Sequence, residues 1–131
     1  MAATRERKVP ALVDKPMDFC PGCGHGIVSR LIMEALEELD QLDNIIFPIG
    51  VGCSSNLGAG LECDRLHCCH GRAGAVATGM KRVSPDTLVV SYQGDGDAYN
   101  IGIAETFNAA YRNENITVIV INNFSAISKI M

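Results

Sequence analysis

The sequence predicts an α/β protein, a parallel sheet flanked by helices. Three observations carry this. Apolar residues switch between helical and strand spacing along the chain, as they do when strands and helices alternate. The run Ile116-Thr117-Val118-Ile119-Val120-Ile121 is nearly all β-branched, the pattern of a parallel strand covered on both faces. Gly50, Gly52, Gly94 and Gly96 fall at the ends of the proposed strands, where an open α/β sheet binds its ligands. At 131 residues the chain makes one domain with enough material for a core.

The elements follow in order. Residues 1–15 read as a flexible start, basic at Arg5-Glu6-Arg7-Lys8, and 16–131 as the folded domain. Cys20-Pro21-Gly22-Cys23-Gly24-His25-Gly26 is a Cys-x-x-Cys knuckle; its Pro and Gly wrap the chain so that two sulfurs can face one metal. A helix follows, with Ile27, Val28, Leu31, Ile32, Ala35, Leu36 and Leu39 as its apolar stripe and Glu34, Glu37 and Glu38 outside. Asp40 to Asn44 ends it. Ile45–Ile49 is a strand, and Gly50-Val51-Gly52-Cys53-Ser54-Ser55 stands at its end. Glu62-Cys63-Asp64 reads as a plain turn. His70-Gly71-Arg72-Ala73-Gly74 opens a helix of small residues through Ala77, Met80 and Lys81. Leu88-Val89-Val90-Ser91-Tyr92 is a short buried strand, followed by Gly94-Asp95-Gly96-Asp97. Ile103, Phe107, Ala110 and Tyr111, at i, i+4, i+7 and i+8, mark one face of a helix. Arg112-Asn113-Glu114-Asn115 breaks it, and the last strand ends at Asn122-Asn123.

Composition excludes several classes. An apolar content of 47% argues against disorder, and a net charge of −4 against a nucleic-acid partner. No apolar run approaches the roughly 20 residues needed to cross a bilayer, so no membrane role is expected. No signal-peptide core follows the basic start. Six cysteines in a chain of that kind point to metal or redox chemistry in the cytoplasm more than to disulfides.

Two clusters carry the chemistry. Asp95 and Asn123 offer hard oxygen ligands, and a strand–helix–strand unit brings them to one sheet edge. Gly94 and Gly96 let the backbone turn and approach a phosphate. Mg²⁺ takes near-octahedral oxygen ligands and often keeps phosphates among them. This Gly-Asp-Gly to Asn-Asn pattern resembles the thiamine diphosphate (TPP) binding motif. The ordered set Cys-Pro-Gly-Cys-Gly-His, Gly-Cys-Ser, His-Gly-Arg-Ala, Gly-Asp-Gly-Asp and Asn-Asn, from about Pro16 to Asn123, resembles the β subunit of the 2-oxoacid:ferredoxin oxidoreductases. The wording around Tyr92–Asp97 and Glu114–Val118 is most similar to the branched-chain 2-oxoacid and 2-oxoglutarate types.

The resemblance implies a TPP-binding fold and a division of labour. Asp95, Asn123 and the carbonyl of Ser125 would ligate Mg²⁺. Val51, Gly52, Cys53, Ser54, His70, Gly96 and Asp97 would contact TPP. Cys20, Cys23 and Cys53 would be three ligands of a 4Fe–4S cluster. It implies oxidative decarboxylation of a 2-oxoacid to an acyl-CoA, with coenzyme A as acceptor and electrons passing through the cluster to ferredoxin. It also implies an α subunit carrying the activating glutamate and a ferredoxin-like γ or δ subunit, and no catalytic side chain in this chain. The family continues after Asn-Asn with Tyr-Gly-x-Thr-Gly-Gly-Gln and a fourth cluster cysteine. Here Phe124 to Met131 reads differently, so the chain is read as the N-terminal part of such a subunit, inactive alone. Taken singly, Cys20 and Cys23 also suit a structural zinc knuckle, Cys53 a buried thiol and His70 a structural histidine. A non-catalytic remnant is the other alternative. Cys63, Cys68 and Cys69 read as small buried or incidental thiols, with Cys68 and Cys69 close in sequence to the proposed pocket.

Overall fold

The computed structural model describes residues 8–123. In chain order the elements are α1 (Gly24–Glu38), β1 (Ile45–Ile49), a 3₁₀ segment (Cys53–Gly60), β2 (Asp64–His67), α2 (Ala73–Val83), β3 (Leu88–Gly94), a π-helical turn (Gly96–Ile101), α3 (Ile103–Tyr111) and β4 (Thr117–Ile121). Two helices end on an Asp or Asn rather than a glycine. Asp40 (φ 53°) and Asn113 (φ 49°) take the left-handed turn after α1 and α3. In both, the next residue's N–H reaches back to a helix carbonyl, Gln41 to Leu36 at 3.0 Å and Glu114 to Ala109 at 3.1 Å.

The four strands form one parallel sheet in the order β2-β1-β3-β4. From β1 the chain steps outward to β2, then returns across β1 to β3. The strand order therefore reverses between β1 and β3, and the crevice at their carboxyl ends is where such sheets bind ligands. The loops after β1 and β3, Gly50–Gly52 and Asp95–Asp97, flank it.

One face of the sheet carries the larger core. Ile45, Phe47 and Ile49 of β1 and Val90 and Tyr92 of β3 pack with Met33 and Leu36 of α1 and with Leu57 of the 3₁₀ segment. On the other face α2 lies against β1 and β3, and α3 lies mainly against α2. The buried residues there are small, Ala73, Gly74 and Ala77 of α2 and Ala109 of α3, which lets the helices approach closely. Pro10–Asp14, inside the segment expected to be flexible, is attached to the domain. Val13 bridges Leu61, and backbone hydrogen bonds join Asp14 to Gly60 and Glu62 to Leu12.

Four expectations are corrected here. Glu62-Cys63-Asp64 leads into a strand, not a plain turn: β2 is an edge strand, exposed along its length, so it has no apolar pattern to announce it. The buried face of α1 is His25, Ser29, Met33 and Leu36, rotated from the expected stripe, whose Ile27 (61%), Leu31 (56%) and Leu39 (65%) are exposed. The polar residues His25 and Ser29 take the inner face because a buried tyrosine there gives them hydrogen bonds. The α3 stripe also faces outward, with Ile103 59%, Phe107 67% and Tyr111 80% exposed. Finally, β4 is only half-buried, an edge strand among the described residues.

Candidate functional site

Three loops converge at the carboxyl end of the sheet, and one carboxylate joins them. Asp97, in the turn after β3, is 1% exposed. Its Oδ1 accepts from the Val51 N–H after β1 at 3.2 Å and from the Gly71 N–H after β2 at 2.8 Å. The same oxygen meets Nδ1 of His70 at 2.5 Å. Its Oδ2 accepts from Nε2 of Gln93, in β3, at 2.6 Å. The local sequence makes this possible. A Cβ at Gly50 would overlap the Asp97 carboxylate, and one at Gly71 (φ +76°) would stand 2.7 Å from the Gly102 nitrogen. Both positions need a residue without a side chain.

Asp95 and Asn123 come to neighbouring strand ends. β3 pairs with β4 so that Gly94 faces Ile121, which sets Asp95 level with Asn122 and one residue from Asn123. Asp95 is mostly buried and caps the following turn, its Oδ1 accepting from the Gly96 N–H at 2.9 Å. A buried carboxylate beside an amide side chain at the same sheet edge is the donor chemistry a hard cation takes, so these residues fit Mg²⁺. Ser125, the third expected ligand, lies outside the described residues.

The residues expected to line the cofactor are close to this corner. Val51 and Gly52 (φ 119°) form the bend after β1. Cys53 opens the 3₁₀ segment and is exposed, while Ser54 is buried and donates to the Gly50 carbonyl at 3.1 Å. His70 precedes α2, whose first turn has no side-chain cap. The N-terminus of such a helix favours an anion.

The cysteines are arranged differently. Cys23 is half-buried at the start of α1, and Cys20 and Cys53 are exposed. Among the described residues no three His, Cys, Asp or Glu side chains converge as a metal site. The three thiols thus do not fit a cluster cage in this arrangement. Cys63 is half-buried, Cys69 exposed and Cys68 buried, its thiol pushed up to about 11, first by burial and then by the charge of Asp97.

Sequence reasoning missed a buried polar pair beside the Cys-x-x-Cys loop. Nδ1 of His25 lies 2.8 Å from the Tyr92 hydroxyl, and Ser29 Oγ lies 3.4 Å from it. His25 also stacks on Phe19, ring centroids 5.3 Å apart. Burial pushes the His25 pKa down, against the opposing charge of Asp95. Burial pushes Tyr92 up to about 12, partly offset by its hydrogen bond with Ser29. The pair ties the start of α1 to the strand that carries Asp95. The only signal in the sequence was the spacing of His25 and Ser29, four apart and so on one face of the helix.

Residues 50–127 match the family described as thiamine pyrophosphate enzyme, C-terminal TPP binding domain. The chain is 46% identical over 109 residues to the 2-oxoglutarate synthase subunit KorB of Methanocaldococcus jannaschii, covering 82% of this chain and 40% of that protein. It is 43% identical over 105 residues to the ketoisovalerate oxidoreductase subunit VorA of Methanothermobacter thermautotrophicus, covering 80% of this chain and 22% of that one. A solved structure of 2-oxoglutarate:ferredoxin oxidoreductase from Magnetococcus marinus, with 2-oxoglutarate, coenzyme A and succinyl-CoA bound, superposes with a TM-score of 0.80 at 34% identity. That match covers 93% of this chain and 43% of the solved one. The chain spans less than half the length of these relatives. Among the described residues no helix is long and apolar enough to cross a membrane.

Proposed function

The chain belongs to the thiamine pyrophosphate enzymes through their C-terminal TPP-binding domain, and from that premise we propose that it is the Mg²⁺- and diphosphate-holding part of a 2-oxoacid:ferredoxin oxidoreductase β subunit. The observation that carries this is the pairing of β3 with β4, which sets Asp95 and Asn123 at neighbouring strand ends, next to the crevice between β1 and β3. The similarity to KorB and VorA supports a 2-oxoacid such as 2-oxoglutarate or ketoisovalerate as the substrate.

Asp95 and Asn123 would hold the cation, with Ser125 as a further ligand. Val51, Gly52, Cys53, Ser54, Gly96 and Asp97 would shape the pocket wall, and His70 with the start of α2 would take the diphosphate. TPP, when bound, supplies the electron sink for decarboxylation. The protein supplies orientation and charge. Asp95 brings a negative charge to the cation, and the bare backbone at Gly50–Gly52 allows a phosphate close approach. The reaction of the whole enzyme would convert a 2-oxoacid and coenzyme A to an acyl-CoA and pass electrons to ferredoxin. It would need an α subunit with the activating glutamate and a ferredoxin-like γ or δ subunit. Cys20, Cys23 and Cys53 are the sulfur donors this chain offers a 4Fe–4S cluster, and they would have to move together to share one.

Calorimetric titration of the chain with TPP tests the reading. Binding is expected with Mg²⁺ and not with EDTA. Asp95→Ala should weaken Mg²⁺-dependent binding at least about tenfold, or roughly 1.4 kcal/mol. Unchanged affinity in that variant would sink the metal assignment.

A further inference from the structure

We propose that Asp97 and Gln93 are positioning residues for His70. Through the buried chain Ser91–Gln93–Asp97–His70 they fix which ring nitrogen of His70 carries a proton and which is presented to the diphosphate. The identity of that anion rests on the function proposed above; the ring's tautomer does not.

The argument is one of donors and acceptors. Gln93 Nε2 donates to Asp97 Oδ2 at 2.6 Å, and Ser91 Oγ donates to Gln93 Oε1 at 3.0 Å. A flipped Gln93 would set its oxygen against the Asp97 carboxyl oxygen, so the Asp97 end fixes the amide and the Ser91 hydroxyl follows it. Asp97 then has an N–H on one oxygen and two backbone N–H groups on the other. All three of these groups are donors, so Asp97 serves as an acceptor on both oxygens. The contact with His70 at 2.5 Å therefore requires a proton on Nδ1. The neutral ring is held as the Nδ1–H tautomer, with its lone pair on Nε2.

Exposure decides which edge of the ring meets the crevice. The Asp97 side chain is 0% exposed and that of His70 is 30%. The Nδ1 edge lies on the buried carboxylate, so the exposed part of the ring is the edge bearing Nε2. With a second proton there, Nε2–H can make a charge-assisted bond to a diphosphate oxygen. A carboxylate needed only to join three loops would be satisfied by Val51, Gly71 and Gln93. Its contact with a partly exposed imidazole is the feature that reaches the ligand.

The test is long-range ¹H–¹⁵N correlation of the ring nitrogens in the ¹⁵N-labelled 131-residue chain, at about pH 8, above the usual histidine range. A protonated Nδ1 and bare Nε2 on His70 are expected, and the Nε2–H tautomer would overturn the proposal. In Asp97→Asn the Nδ1–H preference should be lost, and Mg²⁺–TPP affinity should fall about tenfold, as in His70→Ala. The double variant should be no weaker than the weaker single one. Loss of affinity in Asp97→Asn with the tautomer unchanged would overturn the proposal, because it leaves Asp97 a purely structural role. Should Asp97→Asn fail to fold, the wild-type tautomer decides alone. A wild-type chain with the Nδ1–H tautomer and no TPP binding would refute the cofactor reading and support the positioning.

Discussion

Replacing Tyr92 with Phe removes one oxygen atom from the middle of the core. Tyr92 is 0% exposed, Ser29 0% and His25 2%, so no water replaces it. His25 Nδ1 loses a 2.8 Å partner, while Ser29 loses only a 3.4 Å contact and its hydroxyl can turn toward a carbonyl of its own helix. One buried nitrogen is left unsatisfied, which costs about 1–3 kcal/mol. For a chain of this length that lowers Tm by roughly 3–5 °C per kcal/mol. Urea denaturation and thermal melts of the two proteins measure it. A second arm separates hydrogen bonding from packing. His25→Phe with Tyr92→Phe should be less destabilised than the sum of the single variants, because neither polar partner remains. The pH dependence has a definite sign. The folded Tyr92 pKa is raised to about 12 by burial. Its stabilising contribution is therefore complete below the unfolded value of about 10 and is lost as pH rises toward 12. Wild type should lose stability across that window more steeply than Tyr92→Phe. A Tyr92→Phe chain as stable as wild type, with the same alkaline slope, would refute the pairing.

Two other outcomes are expected. Gly50→Ala should destabilise the fold by several kcal/mol and displace the Asp97 carboxylate, because a Cβ there overlaps it; amide shifts at Val51, Gly71 and Gln93 would report the displacement, and a melt unchanged from wild type would contradict it. Iodoacetamide at pH 8 should modify the exposed Cys20, Cys53 and Cys69 first and Cys68 last, since its thiol is buried and pushed up to about 11. Peptide mass spectrometry gives the order, and early labelling of Cys68 in the folded chain would contradict the described packing.

The sequence by itself determined the class and the corner. Strand-length apolar runs, two ending in glycine and the last in Asn-Asn, and helical spacing between them lead to a parallel sheet whose ligands gather at one end. Asp95 and Asn123 were legible because each stands within two residues of a strand's carboxyl end, and adjacent strands bring their ends together regardless of packing detail. The tertiary structure decided which side of each helix faces inward. An apolar stripe gives the helical period, but the core takes the face that its neighbours can satisfy. Tyr92 draws His25 and Ser29 inward in preference to Ile27 and Leu31, and α3 turns Phe107 and Tyr111 outward while it buries Ala109 and packs on α2. β2 had no local signature because an exposed edge strand is held by its backbone pairing with β1, not by its side chains. Nor was the organising role of Asp97 written locally. Its partners lie in the loops after β1 and β2 and in β3 itself, up to 46 residues away along the chain, and only the assembled sheet brings those donors to one carboxylate.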